Sequence, residues 1–263
     1  MSTGALDRGV IVRAIILTVQ VIAAVIVVGW GAAAVWPSSR PPVGYAVATA
    51  PLEPTVVELP SPVPTPLAGL TSKTAVASSA ASRVDAAWLD QVAGANDIPR
   101  RVLAAYATAS IVIAEEQPSC HLGWTTIAAI GKIESNDGRF GGATVLESGY
   151  GDRGITGPQL SGGEFASIPD SDKGVWDGDP AWDRAVGPFQ FIPQTWSTWG
   201  ADGNADGRAD PGHIDDAALA AARYLCHSGD LSDAARWRAA VFSYNHSVEY
   251  VSQVASIANG LVG

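Results

Sequence analysis

Residues 122–138, "LGWTTIAAIGKIESNDG", decide how this chain is read. Trp124, Ile127, Ile130 and Ile133 recur every three positions and form one apolar stripe, which predicts a helix from about Leu122 to Asn136. Asn-Asp-Gly then ends it, and Asp137 is expected to turn out of the helix as a cap or turn residue. At 100° per residue, Glu134 lies about 20° from Ile127 and about 40° from Ile130, while Lys132 lies about 160° from the glutamate. The lysine is therefore expected to face water, and the glutamate to project from the apolar face in the last turn. Poor solvation and the negative end of the helix dipole both disfavour a carboxylate there and raise its pKa. A carboxylic acid still protonated near neutral pH is a candidate general acid. The competing reading is a glutamate satisfied by a buried arginine or by backbone amides.

Working outward, the same kind of pattern predicts further helices in "VDAAWLDQVAGA", ending at Gly94, and in "IPRRVLAAYATASIVIAEEQ", with Pro99 near its first turn. Others fit "PQTWSTWG", "DDAALAAARYLCHSG", "SDAARWRAAVFSYNHS" and "VEYVSQVASIANGL". No run of alternating strand residues stands out. The expected fold is mainly α with long loops, over residues 84–263.

The rest of the chain is of another kind. Residues 14–36, "AIILTVQVIAAVIVVGWGAAAVW", carry no charge and are long enough to cross a bilayer as a helix. Arg8 and Arg13 precede them and Arg40 follows, which places residues 1–13 in the cytoplasm and the folded part outside it. The alternative is a signal peptide cleaved near Ala32–Ala34, which would release a secreted form. Residues 37–83 are rich in Pro, Ser and Thr, show no core-building period, and are expected to be a disordered tether. The net charge of −10 falls largely after residue 85 and no basic patch accompanies it, so nucleic acid is excluded as a partner. The two cysteines, Cys120 and Cys226, are expected to pair in an exported domain, buried thiols being the alternative. The four histidines, His121, His213, His227 and His246, lack zinc-like spacing and are expected at surface or capping positions.

Three further pieces follow the glutamate in order: "AVGPFQFIPQTW" at 185–196, "DGNADGRADPGHIDD" at 202–216 and "SYNHSVEYV" at 243–251. Together with "IES" at 133–135 they resemble the Glu-Ser, Gly-Pro-Phe-Gln-Phe and Tyr-Asn motifs of the lytic murein transglycosylases, in particular the membrane-bound type B family. The resemblance covers about residues 84–263 and implies a lysozyme-like transglycosylase domain, preceded here by one transmembrane helix and a Pro-rich linker. It implies cleavage of the β-1,4 bond between MurNAc and GlcNAc in peptidoglycan with Glu134 as acid and then base. The sugar's own C6 hydroxyl would attack C1, leaving a 1,6-anhydroMurNAc end. Intramolecular attack benefits from a high effective concentration, which helps one carboxylate suffice where other glycosidases use two. Carried over residue by residue, Ser135 would orient Glu134 or contact substrate, Gln190 would serve an acetamido group, and Tyr244 and Asn245 would lie near the glutamate. A muramidase on the same fold and a non-catalytic wall-binding module are the rival readings. The roughly 45 residues between the glutamate helix and "AVGPFQF" are expected to wall a glycan groove, with Tyr150, Phe165, Trp176 and Trp182 as anchors or sugar platforms.

The acidic stretch begins like an EF-hand loop, with oxygen donors Asp202, Asn204 and Asp206, a turn at Gly207 and the Arg208 carbonyl. It departs at position twelve, His213. The family's longer loop implies Asp216 as the last ligand of a structural Ca²⁺, with Asp215 expected to cap the helix that follows. A run of Asx turns without metal is the alternative.

Overall fold

A computed structural model describes residues 83–163 and 165–263. The expected anchor at 14–36 and the linker lie outside the described residues. Arg83 is the exception, and its guanidinium bonds both carboxylate oxygens of Glu115. Among the described residues, no helix is long and apolar enough to cross a membrane.

Seven α-helices are described: α1 Ala86–Asn96, α2 Arg100–Glu116, α3 Trp124–Ser135, α4 Pro193–Trp199, α5 Ile214–Cys226, α6 Ala234–Tyr244 and α7 Val248–Gly260. The mainly helical expectation therefore holds. Gly94 does not end α1, which runs on to a left-handed Asp97. At its other end the Asp85 carboxylate accepts from Trp88 N, capping the first turn.

Helix α2 is the centre of the core. It buries an unbroken run from Val102 to Ile111 and so is covered on every side. Its main neighbour is α5, whose buried face is alanine at 217, 218, 220, 221 and 222. Small side chains on both helices let the backbones approach closely. Helix α3 lies across α2 and against α7, with Trp124, Ile127 and Ile130 fully buried. Burying each of these side chains contributes about 1.5–3 kcal/mol. Trp124 also packs edge-on against Trp88 at 5.5 Å. Cys120 and Cys226 are joined, tying the α2–α3 turn to the end of α5. Closing a loop of that size removes about 4–5 kcal/mol of unfolded-state entropy in the chain-entropy model.

Two short strands depart from the strand-free expectation. β1 Thr156–Gln159 and β2 Arg184–Val186 pair antiparallel, Thr156 opposite Val186 and Gln159 opposite Arg184. "TGPQ" carries Gly and Pro, both poor strand residues, and shows no alternation that would mark it. The segment between the strands is organised by aspartates. Asp170 accepts from the amides of Asp172, Lys173 and Gly174, and Asp179 from those of Ala181 and Trp182.

Candidate active site

Glu134 sits where the sequence pattern placed it, in the last turn of α3, and lines an open groove of about 450 Å³. The helix stops abruptly because Asn136, Asp137 and Gly138 all take positive φ. Asn136 N donates to Lys132 O, and Asp137 N reaches back to Gly131 O. Burial pushes the Glu134 carboxyl up to about 7, opposed by a hydrogen bond from Tyr250. That bond, Tyr250 Oη to Glu134 Oε1 at 2.6 Å, occupies one carboxylate oxygen. Among the described residues, no arginine or backbone amide bonds the side chain.

Tyr250 was missed by the sequence reading, although it lies inside the quoted "SYNHSVEYV". It sits in the first turn of α7 on the buried stripe Tyr250, Val254, Ala258. A hydroxyl on an otherwise apolar stripe, six residues past the Tyr-Asn pair, was the available signal.

Lys132 corrects the solvent-facing expectation, and Asp137 is the reason. Lys132 is only partly exposed, and its ammonium lies 3.2 Å from the fully buried Asp137 carboxylate. Asp137 also meets Arg139 at 3.4 Å and accepts from the Tyr106 hydroxyl at 3.3 Å. Burial raises its pKa, and Lys132 opposes the shift most. Asp137 does turn out of the helix, at φ 59°, and its carboxylate is a buried anchor beneath the exit of α3. The helical wheel could not show this, because the partner Tyr106 comes from α2.

Ser135 is likewise a correction. It is fully buried, donates to Pro188 O at 2.6 Å and accepts from Gly138 N at 2.8 Å. It ties the helix end to the Gly-Pro-Phe-Gln turn and does not reach the groove. Gln190 does line the groove, in a left-handed conformation (φ 49°), with Nε2 donating to Gly187 O. Gly157 lies opposite, and a Cβ there would come within 3.0 Å of Gln190 Oε1 and push that amide aside. Tyr244 and Asn245 close the other side of the groove, and the Tyr244 hydroxyl donates to Phe189 O at 2.8 Å. Tyr244 thereby locks the aromatic turn to α6.

Of the four loop aromatics only Phe165 enters the groove, beside Leu160 and Ile168. Trp176 packs edge-on against Trp196 under the Arg208 guanidinium, and Tyr150 packs against His213. Trp182 pairs through its backbone with Pro169.

In the EF-hand-like loop, Asp202 accepts from Asp206 N and Gly207 N. Asn204 Oδ1 also accepts from Asp206 N, while Asp206 is exposed and its Oδ1 accepts from Arg208 N. Asp216 is fully buried and accepts from Gly203 N, Asn204 N and Asp210 N. Burial raises the Asp216 carboxyl to about 6. Oxygen donors around a desolvated carboxylate suit a hard cation in chemistry. One expectation nearby is corrected. α5 begins at Ile214, and Asp215 is not its cap but a buried partner of the Arg101 guanidinium. His213 takes the capping position before Ile214 and is buried there, with Nε2 2.9 Å from Ser148 O and 3.1 Å from Asn204 Nδ2. Among the described residues, three carboxylates do converge within 4.8 Å of one another, but these are Asp170, Asp172 and Asp183 in the groove wall.

No curated protein matches the chain. Among solved structures, it resembles the crystal structure of SltB3 from Pseudomonas aeruginosa in complex with NAG-anhNAM-pentapeptide. That likeness is 20% identical over 74% of each chain, with a TM-score of 0.37. Residues 170–242, from the groove wall through the Gly-Pro-Phe-Gln turn to α6, match the family model described as Transglycosylase SLT domain.

Proposed function

We propose that this protein is a peptidoglycan lytic transglycosylase that cleaves between MurNAc and GlcNAc and leaves a 1,6-anhydroMurNAc end. The observation that carries the reading is Glu134: a carboxyl held near 7 by burial and, among the described residues, the acidic side chain that lines the groove. The match of residues 170–242 to a transglycosylase domain supports the same chemistry.

In this reading each step falls to a residue. Tyr250 holds Oε1, so Oε2 is the oxygen that protonates the glycosidic oxygen as the bond to C1 breaks. The carboxylate left behind then takes the proton of the sugar's C6 hydroxyl as that oxygen bonds C1, and Glu134 returns to its acid form. Atoms and protons balance without a water molecule. An acid near pKa 7 is matched to both halves, since it must give and regain a proton at neutral pH. Gln190, with its amide nitrogen engaged by Gly187 O, offers Oε1 to the N–H of an acetamido group. Phe165 and Ile168 give the sugar faces an apolar wall.

We also place a Ca²⁺ in the loop bearing Asp202, Asn204, Asp206, the Arg208 carbonyl and Asp216. Bound there, it supplies charge that stiffens the loop, and no chemistry. Export behind an N-terminal anchor at 14–36 belongs to the same reading.

Glu134→Gln tests the proposal. The variant is expected to fold and bind glycan but release no anhydro-muropeptide, a loss of about 10²–10⁴ in rate from removing a general acid. Wild-type turnover in the variant contradicts it, as a non-catalytic binding module would have it.

A further inference from the structure

Glu134 is bracketed by residues that the proposed chemistry does not use. Lys132, on the preceding side, reaches past it to the fully buried Asp137 carboxylate at 3.2 Å. Between them the chain leaves α3 through consecutive left-handed residues, Asn136 at φ 52° and Asp137 at φ 59°. Asn and Asp visit that region singly, and a run of such residues persists only where the surroundings hold it. Asp137 supplies the hold. Its N–H returns to Gly131 O, and its carboxylate accepts from the Tyr106 hydroxyl at 3.3 Å.

Tyr106 comes from the middle of α2 and is itself fully buried. Burial raises its pKa well above the ordinary phenol value, so the hydroxyl remains a donor. Its ring also meets Phe189 edge-on at 5.7 Å, in the turn that carries Gln190. One side chain thus underlies both the acid and the amide of the groove.

Gly131 shows what this contact requires. Glycine inside a helix is destabilising relative to alanine, yet one stands three residues before Glu134. A Cβ there would collide with the Tyr106 hydroxyl and would lie 2.8 Å from its Cζ. Helix α3 gives up local propensity at the one place where Tyr106 must pass to reach Asp137.

We propose that Tyr106 and Asp137 are a positioning pair for Glu134, holding the exit of α3 so that the carboxyl stays in register with Tyr250. The kinetic consequences rest on the transglycosylase reading above, and the geometry does not. Tyr106→Phe removes the hydroxyl and changes no charge. It leaves in place the ionisable groups around Glu134, which are Tyr250 from α7 and Tyr224, Tyr244 and His246 along the groove. Lys132 and Arg139 beside Asp137 also stay. A change at Glu134 is then carried by geometry.

The Tyr250 bond lowers the Glu134 pKa, so loosening it moves that pKa upward from about 7. In the full-length protein, Tyr106→Phe is expected to produce this rise, read by NMR titration of the carboxyl signal that Glu134→Gln removes. On soluble glycan strands kcat should fall about tenfold with KM unchanged, as displacement of a reacting group implies. Val92→Ala, a core truncation in α1, should lower Tm and leave kcat and the Glu134 pKa as they are. With Tyr250→Phe already present, Tyr106→Phe should shift the pKa no further, because residues acting through one bond are not additive. Gly131→Ala displaces the same hydroxyl, should reproduce the rise, and decides the question if Tyr106→Phe does not fold. A wild-type Glu134 pKa in the folded variant overturns the proposal, as does an equal shift with and without Tyr250. A loss of kcat no greater than that of Val92→Ala overturns it too. Should the wild-type protein cleave no glycan, the transglycosylase reading fails, and the NMR titration still judges the pair.

Discussion

The helical scaffold and the groove wall at residues 143–186 are ordered by different forces. In the scaffold, α2, α3 and α5 bury continuous apolar faces, and position follows from periodic burial. In the wall, order comes from aspartates accepting backbone N–H groups. Asp152 accepts from Thr144 N, Asp172 from Trp176 N, Asp177 from Arg184 N and Asp183 from Ser171. Each such bond contributes about 0.5–1.5 kcal/mol net, against the 2–5 kcal/mol lost on emptying a large core position. Part of the chain's acidity is therefore internal stitching and not a signal about partners. The Glu134 carboxyl stands on the first kind of structure, and the groove's apolar wall hangs on the second.

The largest effect should follow from breaking the scaffold. Trp124→Ala is expected to cost about 3–5 kcal/mol in global stability, read by denaturant unfolding. Calcium comes next. At about 100 times its Kd it should add about 2.7 kcal/mol, raising Tm by a few degrees, and Asp202→Ala should remove the increment. A Tm indifferent to calcium in the wild-type chain removes the metal from the account. In the wall, Asp183→Ala should cost about 0.5–1.5 kcal/mol for each of the two bonds it accepts from Ser171, and its mark should be local. Hydrogen exchange is expected to speed up across residues 165–186 while α2 and α3 stay protected. Uniform acceleration would erase the contrast between the two regions.

The smallest effect tests how the regions meet at Glu134. Catalysis starts from the protonated carboxyl, so the rate should fall as pH rises through about 7. The Tyr250 bond lowers that pKa, so Tyr250→Phe should move the limb to higher pH, with a reduced kcat from the loosened carboxyl. A limb that stays put would make Tyr250 a packing residue only.

How much of this the sequence revealed follows the same division. Apolar spacing of three and four placed all seven helices and turned Glu134 toward its groove, because a helix carries its own geometry. The motif resemblance added Gln190, Tyr244 and Asn245, which do share the groove. A wheel fails where a partner arrives from elsewhere. Lys132 is expected to face water because its own helix says nothing of Asp137, and the burial of Asp137 cannot be read locally because Tyr106 is 31 residues away. Ser135 matched a motif whose hydroxyl is here spent on Pro188. Asp215 was read as a cap because local rules favour that, and Arg101, 114 residues distant, claims it instead. The strands and the stitched wall have no period to read.

The central claim is that one carboxyl, with the sugar's own hydroxyl as nucleophile, does the work of two. Its direct test is the mass of the muropeptides released from purified peptidoglycan by the wild-type protein. The account predicts MurNAc ends lighter by one water, lost altogether with Glu134→Gln. Products of full hydrolytic mass would contradict it and make the protein a muramidase on the same scaffold.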